Sequence, residues 1–306
     1  MKKNIIKKTI QSWILIAGLV VLSHCGGGVG TSSNSEVAPQ FVDGGAATTT
    51  FVMGLSQSSP ALATSFSTNF QVSTLDQGDH AIEITAAWLN VDRIEIKLPG
   101  TCEDLDFDLA SFASCETELE DGDDSMESEI HVQGPYVVDL VNGLSLPEAI
   151  SLEIASGSLD EVEVKVEESE ESALLPEGVP SGLAGNTLLV EGTVLINEVV
   201  TPFSLTLKFS QEIEFKNLEG VLISENADLN EVFLNLDVSQ WFANLDLETC
   251  FNAEAIPLVE GVLMISEEST SGECSDIEDL IKENIKTSGS IDDSEDDESH
   301  PEDNSL

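Results

Sequence analysis

Phe203-Ser204-Leu205-Thr206-Leu207-Lys208-Phe209-Ser210-Gln211-Glu212-Ile213-Glu214-Phe215 decides the fold class. Phe203, Leu205, Leu207, Phe209, Ile213 and Phe215 share one parity, while Ser204, Thr206, Lys208, Glu212 and Glu214 occupy the other. A period of two is that of an extended chain with one dry and one wet face, so this stretch is a long strand or a bent pair. The same alternation recurs at Ile94, Ile96 and Leu98, at Val162, Val164 and Val166, and at Val232, Leu234, Leu236 and Val238. Apolar runs at 70–75, 81–89, 136–141 and 188–196 add further strands.

Seven or more short strands separated by Gly, Pro, Asn and Asp predict a mainly β protein. The expected architecture is an antiparallel β-sandwich with a short C-terminal helix and disordered termini. Residues 65–250 form the expected sandwich domain. An alternative divides it into two sub-sheets near 169–185, where Glu167-Glu168-Ser169-Glu170-Glu171 precedes Pro176, Gly178, Pro180 and Gly182. Residues 251–286 read as an extension whose Ile277, Leu280, Ile281 and Ile285 have helical spacing. Residues 287–306, nearly all polar or acidic, read as a disordered tail.

At the other end, Lys2, Lys3, Lys7 and Lys8 precede the apolar run Trp13 to Leu22 and then Ser23-His24-Cys25. The run is about half the length a membrane-spanning helix needs, so residues 1–24 read as a signal peptide. Leu22-Ser23-His24-Cys25 resembles the lipobox of bacterial lipoproteins, in which a Leu and two small residues precede the lipid-bearing Cys. His24 departs from that pattern. The resemblance implies cleavage before Cys25, lipidation of Cys25 and attachment to a membrane in the bacterial cell envelope. Gly26 in place of Asp implies the outer membrane, on its periplasmic face or at the cell surface. Residues 25–64, with Gly26-Gly27-Gly28-Val29-Gly30-Thr31-Ser32-Ser33 at their head, read as a flexible tether and irregular lead-in.

The chain carries a formal charge of −47, with 58 acidic residues against 11 basic ones. Nucleic acid is excluded as a partner, because affinity for phosphate backbones is built from Lys and Arg. An anionic membrane would repel the domain as well, which leaves a lipid as the attachment. Cations, basic proteins and neutral glycans are compatible ligands, and the plainest role of the charge is solubility. Hydrophobic residues make up 41% of the chain, so it has enough material for a core.

Beyond Cys25, four cysteines allow three connectivities. Cys102 with Cys115 and Cys250 with Cys274 are the expected disulfides, since each closes a short loop in an oxidising compartment. Zinc is the competing reading, opposed by the lack of Cys-x-x-Cys spacing and of a nearby His.

Segment order from Ala87 to Phe242 carries a second resemblance. Val91-Asp92-Arg93-Ile94-Glu95-Ile96, Tyr136-Val137-Val138-Asp139-Leu140, Leu146-Pro147-Glu148 and Leu236-Asp237-Val238-Ser239-Gln240-Trp241-Phe242 resemble uncharacterised β-sandwich domains of bacterial envelope lipoproteins. That resemblance covers about half the chain and implies fold and compartment, with no activity to transfer.

Catalytic patterns are sparse. The sequence holds no Gly-x-Ser-x-Gly elbow, no His-Glu-x-x-His and no phosphate-binding glycine loop. His80 and His131 are the histidines of the expected domain, and His131 reads as a packed or surface residue. Glu116, Glu118, Glu120, Asp121, Asp123, Asp124, Glu127 and Glu129 crowd what reads as one loop after Cys115. Asp121, Asp123, Asp124, Glu127 and Glu129 are the candidate calcium ligands, with a solvated acidic loop as the other reading. Trp88 and Trp241 could stack on sugar, although strand-like neighbours favour packing.

These readings converge on a non-catalytic binding or structural module on a lipid tether, requiring no cofactor and with a glycan or protein as the expected ligand. A calcium-dependent adhesion module and a carboxylate-dependent hydrolase are the alternatives.

Overall fold

The computed structural model describes residues 46–56, 70–74, 80–98, 102, 105, 108–119, 126–147, 150–170, 175–227 and 230–293. Cys25 and the segments 1–45, 120–125 and 294–306 lie outside them.

Fifteen strands dominate the described residues. In chain order they begin β1 (Ala46–Ser56), β2 (Phe70–Thr74), β3 (His80–Leu98), β4 (Ala113–Leu119) and β5 (Met126–Asp139). Next come β6 (Leu144–Leu146), β7 (Ile150–Ala155), β8 (Gly157–Val166), β9 (Leu188–Ile196), β10 (Val199–Leu207), β11 (Gln211–Ile223) and β12 (Asn230–Asp237). Helices α1 (Val238–Trp241) and α2 (Leu247–Asn252) lead to β13 (Leu258–Val259) and β14 (Val262–Ile265), and α3 (Ile277–Lys286) leads to β15 (Gly289–Asp293). The strands hydrogen-bond into one mixed network in the order β13-β14-β10-β9-β3-β8-β11-β15-β12-β1-β7, with β2 and β5 also on β3, and β4 and β6 on β5.

β3 is the spine, and its 19 residues explain why its apolar pattern looks irregular. Its buried apolar side chains are Ile82, Ile84, Ala87, Leu89, Val91, Ile94, Ile96 and Leu98. The step is two except from Ile84 to Ala87 and from Val91 to Ile94. Register irregularities fall at those two places, between Ile84 and Ala86 and between Val91 and Arg93. Each extra residue bends the strand and restores the parity, so both halves face the core. β9 pairs with the first half and β8 with the second. β8 ends at Val166 and β9 begins at Leu188, both paired with β3, and residues 167–170 and 175–187 are the described part of the segment between them. Ser169 Oγ pins that segment, donating to the Leu183 carbonyl at 2.5 Å and accepting from Gly185 N at 3.1 Å.

The stretch 203–215 is a bent pair. β10 ends at Leu207 and β11 begins at Gln211, and the two have different neighbours. Thr187, fully buried, clamps the bend: its Oγ1 donates to the Phe209 carbonyl at 2.6 Å and accepts from Phe209 N at 2.9 Å. Phe203, Leu205, Leu207, Ile213 and Phe215 are buried, while Phe209 is partly exposed at the corner.

Three expectations need correction. First, pairing is mixed: β1 with β12, β10 with β14 and β11 with β15 are parallel. Parallel neighbours leave no local turn signal, because they are joined by long connections. Second, the tether assigned to 25–64 contains β1, which lies between β12 and β7. Its inward residues are Ala47, Thr49, Phe51, Met53 and Leu55, and the small first two hide the alternation. Third, the tail assigned to 287–306 begins with β15, inserted between β11 and β12. Ladder bonds on both sides and burial of Ile291 hold it.

The predicted helix is α3, with Ile277, Ile281 and Ile285 buried and Leu280 exposed. α3 packs on α1. The Trp241 indole N–H donates to Ser288 Oγ at 3.0 Å, and the Asn284 amide donates to the Trp241 carbonyl at 3.2 Å. Both expected disulfides are present, Cys102–Cys115 with Cα atoms 5.7 Å apart and Cys250–Cys274 with 5.9 Å. The second ties α2 to the turn before α3.

Candidate functional site

β4, β5, β3, β8 and β11 lie side by side, and strand parity dictates what their outer face carries. Ile94, Ile96, Ile130, Val132, Val162, Val164, Val166, Ile213 and Phe215 point into the core. The intervening residues therefore line up outside. One cross-strand row reads Ser114, His131, Glu95, Glu163, Glu214; beside it run Gln133, Arg93, Lys165, Glu212. On the far side Glu116 faces Glu129, Glu129 faces Lys97, and Glu161 faces Lys216.

Seven basic residues lie beyond Lys8, and four of them, Arg93, Lys97, Lys165 and Lys216, are on this face. Like charges directly opposite one another destabilise a sheet, so the placement of so few cations is informative. Lys97 Nζ lies 2.9 Å from both Glu161 and Glu163. Lys216 Nζ reaches Glu214 at 2.7 Å and Glu161 at 3.4 Å. Lys165 Nζ reaches Glu167 at 3.2 Å and Asp92 at 3.7 Å. Arg93 pairs with Glu95, whose side chain is 8% exposed.

Protonation follows from this geometry. Burial opposes the charge on Lys97, but the hydrogen bonds it donates to Glu163 and Glu161, with their negative charge, outweigh burial and raise its pKa. Burial pushes both glutamates upward. For Glu161 the Lys97 ammonium wins and the pKa is lowered, whereas for Glu163 the neighbouring Glu161 carboxylate adds to burial and the pKa is raised.

Among the described residues, two groups on this face have side chains close enough to share a cation: Glu161 with Glu163 and Glu214, and Glu95 with Glu129 and His131, with all ligand atoms in each group within 4.8 Å of one another. The first group already surrounds Lys97 and Lys216. In the second, His131 Nε2 stands 3.2 Å from Glu129 Oε2.

Of the predicted calcium ligands, Asp121, Asp123 and Asp124 lie outside the described residues. Glu127 and Glu129 belong to β5, and Glu116 and Glu118 to β4. What reads as one acidic loop is thus in part a paired hairpin, with Glu116 opposite Glu129 and Glu118 opposite Glu127. In the sequence Glu129 stands out for calcium and His131 reads as a packed or surface residue, while Glu95 is missed. The i, i+2 spacing of Glu129 and His131 is a visible signal; the third member depends on cross-strand register. Trp241 is fully buried and Trp88 packs against a small cluster of Val137, Leu183 and Leu189, so packing is the role of both. No family model matches the chain, and no curated protein or solved structure does either.

Proposed function

We propose that this chain is an exported lipoprotein of the bacterial cell envelope, attached through Cys25, whose β domain serves as a binding or structural module without catalysis. The observation that carries this reading is the pair of disulfides, Cys102–Cys115 and Cys250–Cys274, which suit an oxidising compartment. They agree with the Lys-rich start and lipobox-like Leu22-Ser23-His24-Cys25. The module reading rests on the charged face, where Lys97 and Lys216 bridge glutamates in a lattice suited to holding strands in register.

Metabolic labelling with a clickable fatty acid tests the tether. The parent chain should incorporate label and sediment with membranes, and Cys25→Ser should lose both properties. Equal membrane association of an unlabelled Cys25→Ser chain would overturn lipid attachment. Protease shaving of intact cells, with a periplasmic protein as leakage control, then distinguishes the cell surface from the periplasmic face.

A further inference from the structure

We infer that Glu95, Glu129 and His131 form a site for one divalent transition-metal ion of the zinc type. The site is built by the pairing of β3 with β5. Glu95 lies directly opposite His131, and Glu129, two residues earlier on β5, projects from the same face. Tetrahedral zinc with arms of about 2.0–2.1 Å separates its ligands by about 3.3 Å. The 3.2 Å between His131 Nε2 and Glu129 Oε2 is already that edge.

Burial gives the site its order. Glu95 and His131 are 6% and 9% exposed, so packing restricts their rotamers, while the Glu129 side chain at 23% leaves access from solvent for the ion and a completing water. Arg93 Nη2 binds Glu95 Oε1 and so orients that carboxylate, as outer-shell partners do for metal-ligating carboxylates. β4 lies along the open side of β5, with Ser114 opposite His131 and the disulfide-bonded Cys115 opposite Ile130.

Donor chemistry selects the ion. One imidazole and two carboxylates suit zinc and its transition-metal neighbours, whereas calcium and magnesium take oxygen. This distinguishes the group from Glu161, Glu163 and Glu214, which offers oxygens alone and is neutralised by lysines. The strongly negative chain concentrates every cation diffusely, so a specific site has to be separated from that background.

The test is zinc titration by calorimetry on the full, metal-stripped chain in excess magnesium, which suppresses diffuse binding. One zinc per chain should bind, weakened by more than about tenfold in both His131→Ala and Glu129→Gln and unchanged in Glu214→Gln. Glu129→Gln is conservative and partly exposed, so it decides the matter even if His131→Ala fails to fold. Copper-loaded parent chain should show imidazole nitrogen coupling in its paramagnetic resonance spectrum, and His131→Ala should lose it. Absence of zinc binding, or binding at several weak sites equally in parent and Glu129→Gln, would overturn the assignment.

Discussion

Glu95 on β3 and Glu163 on β8 stand directly opposite each other on the outer face, and Glu214 on β11 stands opposite Glu163. Three carboxylates on adjacent strands would force the sheet apart unless cations sat between their rows. Lys97 does so, one row away, at 2.9 Å from Glu163 and from Glu161.

Lys97→Met should therefore destabilise the domain although it keeps most of the apolar stem. Its side chain is 25% exposed, between the surface and buried limits for ion pairs, so the expected loss is about 1–2 kcal/mol. Urea denaturation measures it, and added salt should narrow the gap by screening the unpaired carboxylates. A variant as stable as the parent would show that water alone keeps Glu161 and Glu163 apart.

Glu163→Gln should act in the opposite direction at neutral pH. Burial first, and then the Glu161 carboxylate, raise the Glu163 pKa above its ordinary 4.5. A folded chain that holds this proton more tightly than the unfolded chain gains stability as pH falls through the raised value, and loses it as pH rises. Glu161, lowered by Lys97, contributes stability above the ordinary value that disappears only under stronger acid. The amide variant should be more stable than the parent by about 0.5 kcal/mol at pH 7, and the advantage should shrink towards pH 5. Chemical denaturation across that range is the measurement, and an advantage that grows on acidification would contradict the assignment.

How far the fold was legible depended on whether parity survived. In β10 and β12, and in β8 from Val162 to Val166, the apolar step of two is unbroken, and every expected inward residue is buried. β3 breaks it twice, at steps of three, so one bent strand reads as an irregular run followed by a separate strand. In β1 the small inward residues Ala47 and Thr49 blur the alternation, and β15 has a single large apolar residue, Ile291; pairing with two neighbours each stabilises both strands, and register is a tertiary property. The candidate metal group divides in the same way. Glu129 and His131 are two residues apart on one strand and can be seen together, while Glu95 joins them only because β3 and β5 align after the irregularity at Val91.

Gly192→Ala tests the other irregularity, the one between Ile84 and Ala86. Gly192 on β9 lies between Ile84 on β3 and Phe203 on β10, and a Cβ there would come within 2.0 Å of the Glu83 carbonyl oxygen and 2.9 Å of the Phe203 ring. The ring covers the space a side chain would fill and meets Phe242 edge-on at 6.1 Å between centroids. Because β9 is held on both sides, the methyl group cannot be relieved by moving one side chain, and the expected cost is near the upper end for overpacking, about 3 kcal/mol. Adding Phe203→Leu to Gly192→Ala separates the two contacts. It frees the ring side and leaves the backbone clash with Glu83, so the double variant should recover little of the loss in melting temperature. Full recovery would mean that β3 yields at its bend, and that the close approach of β9 to Glu83 contributes nothing to holding it.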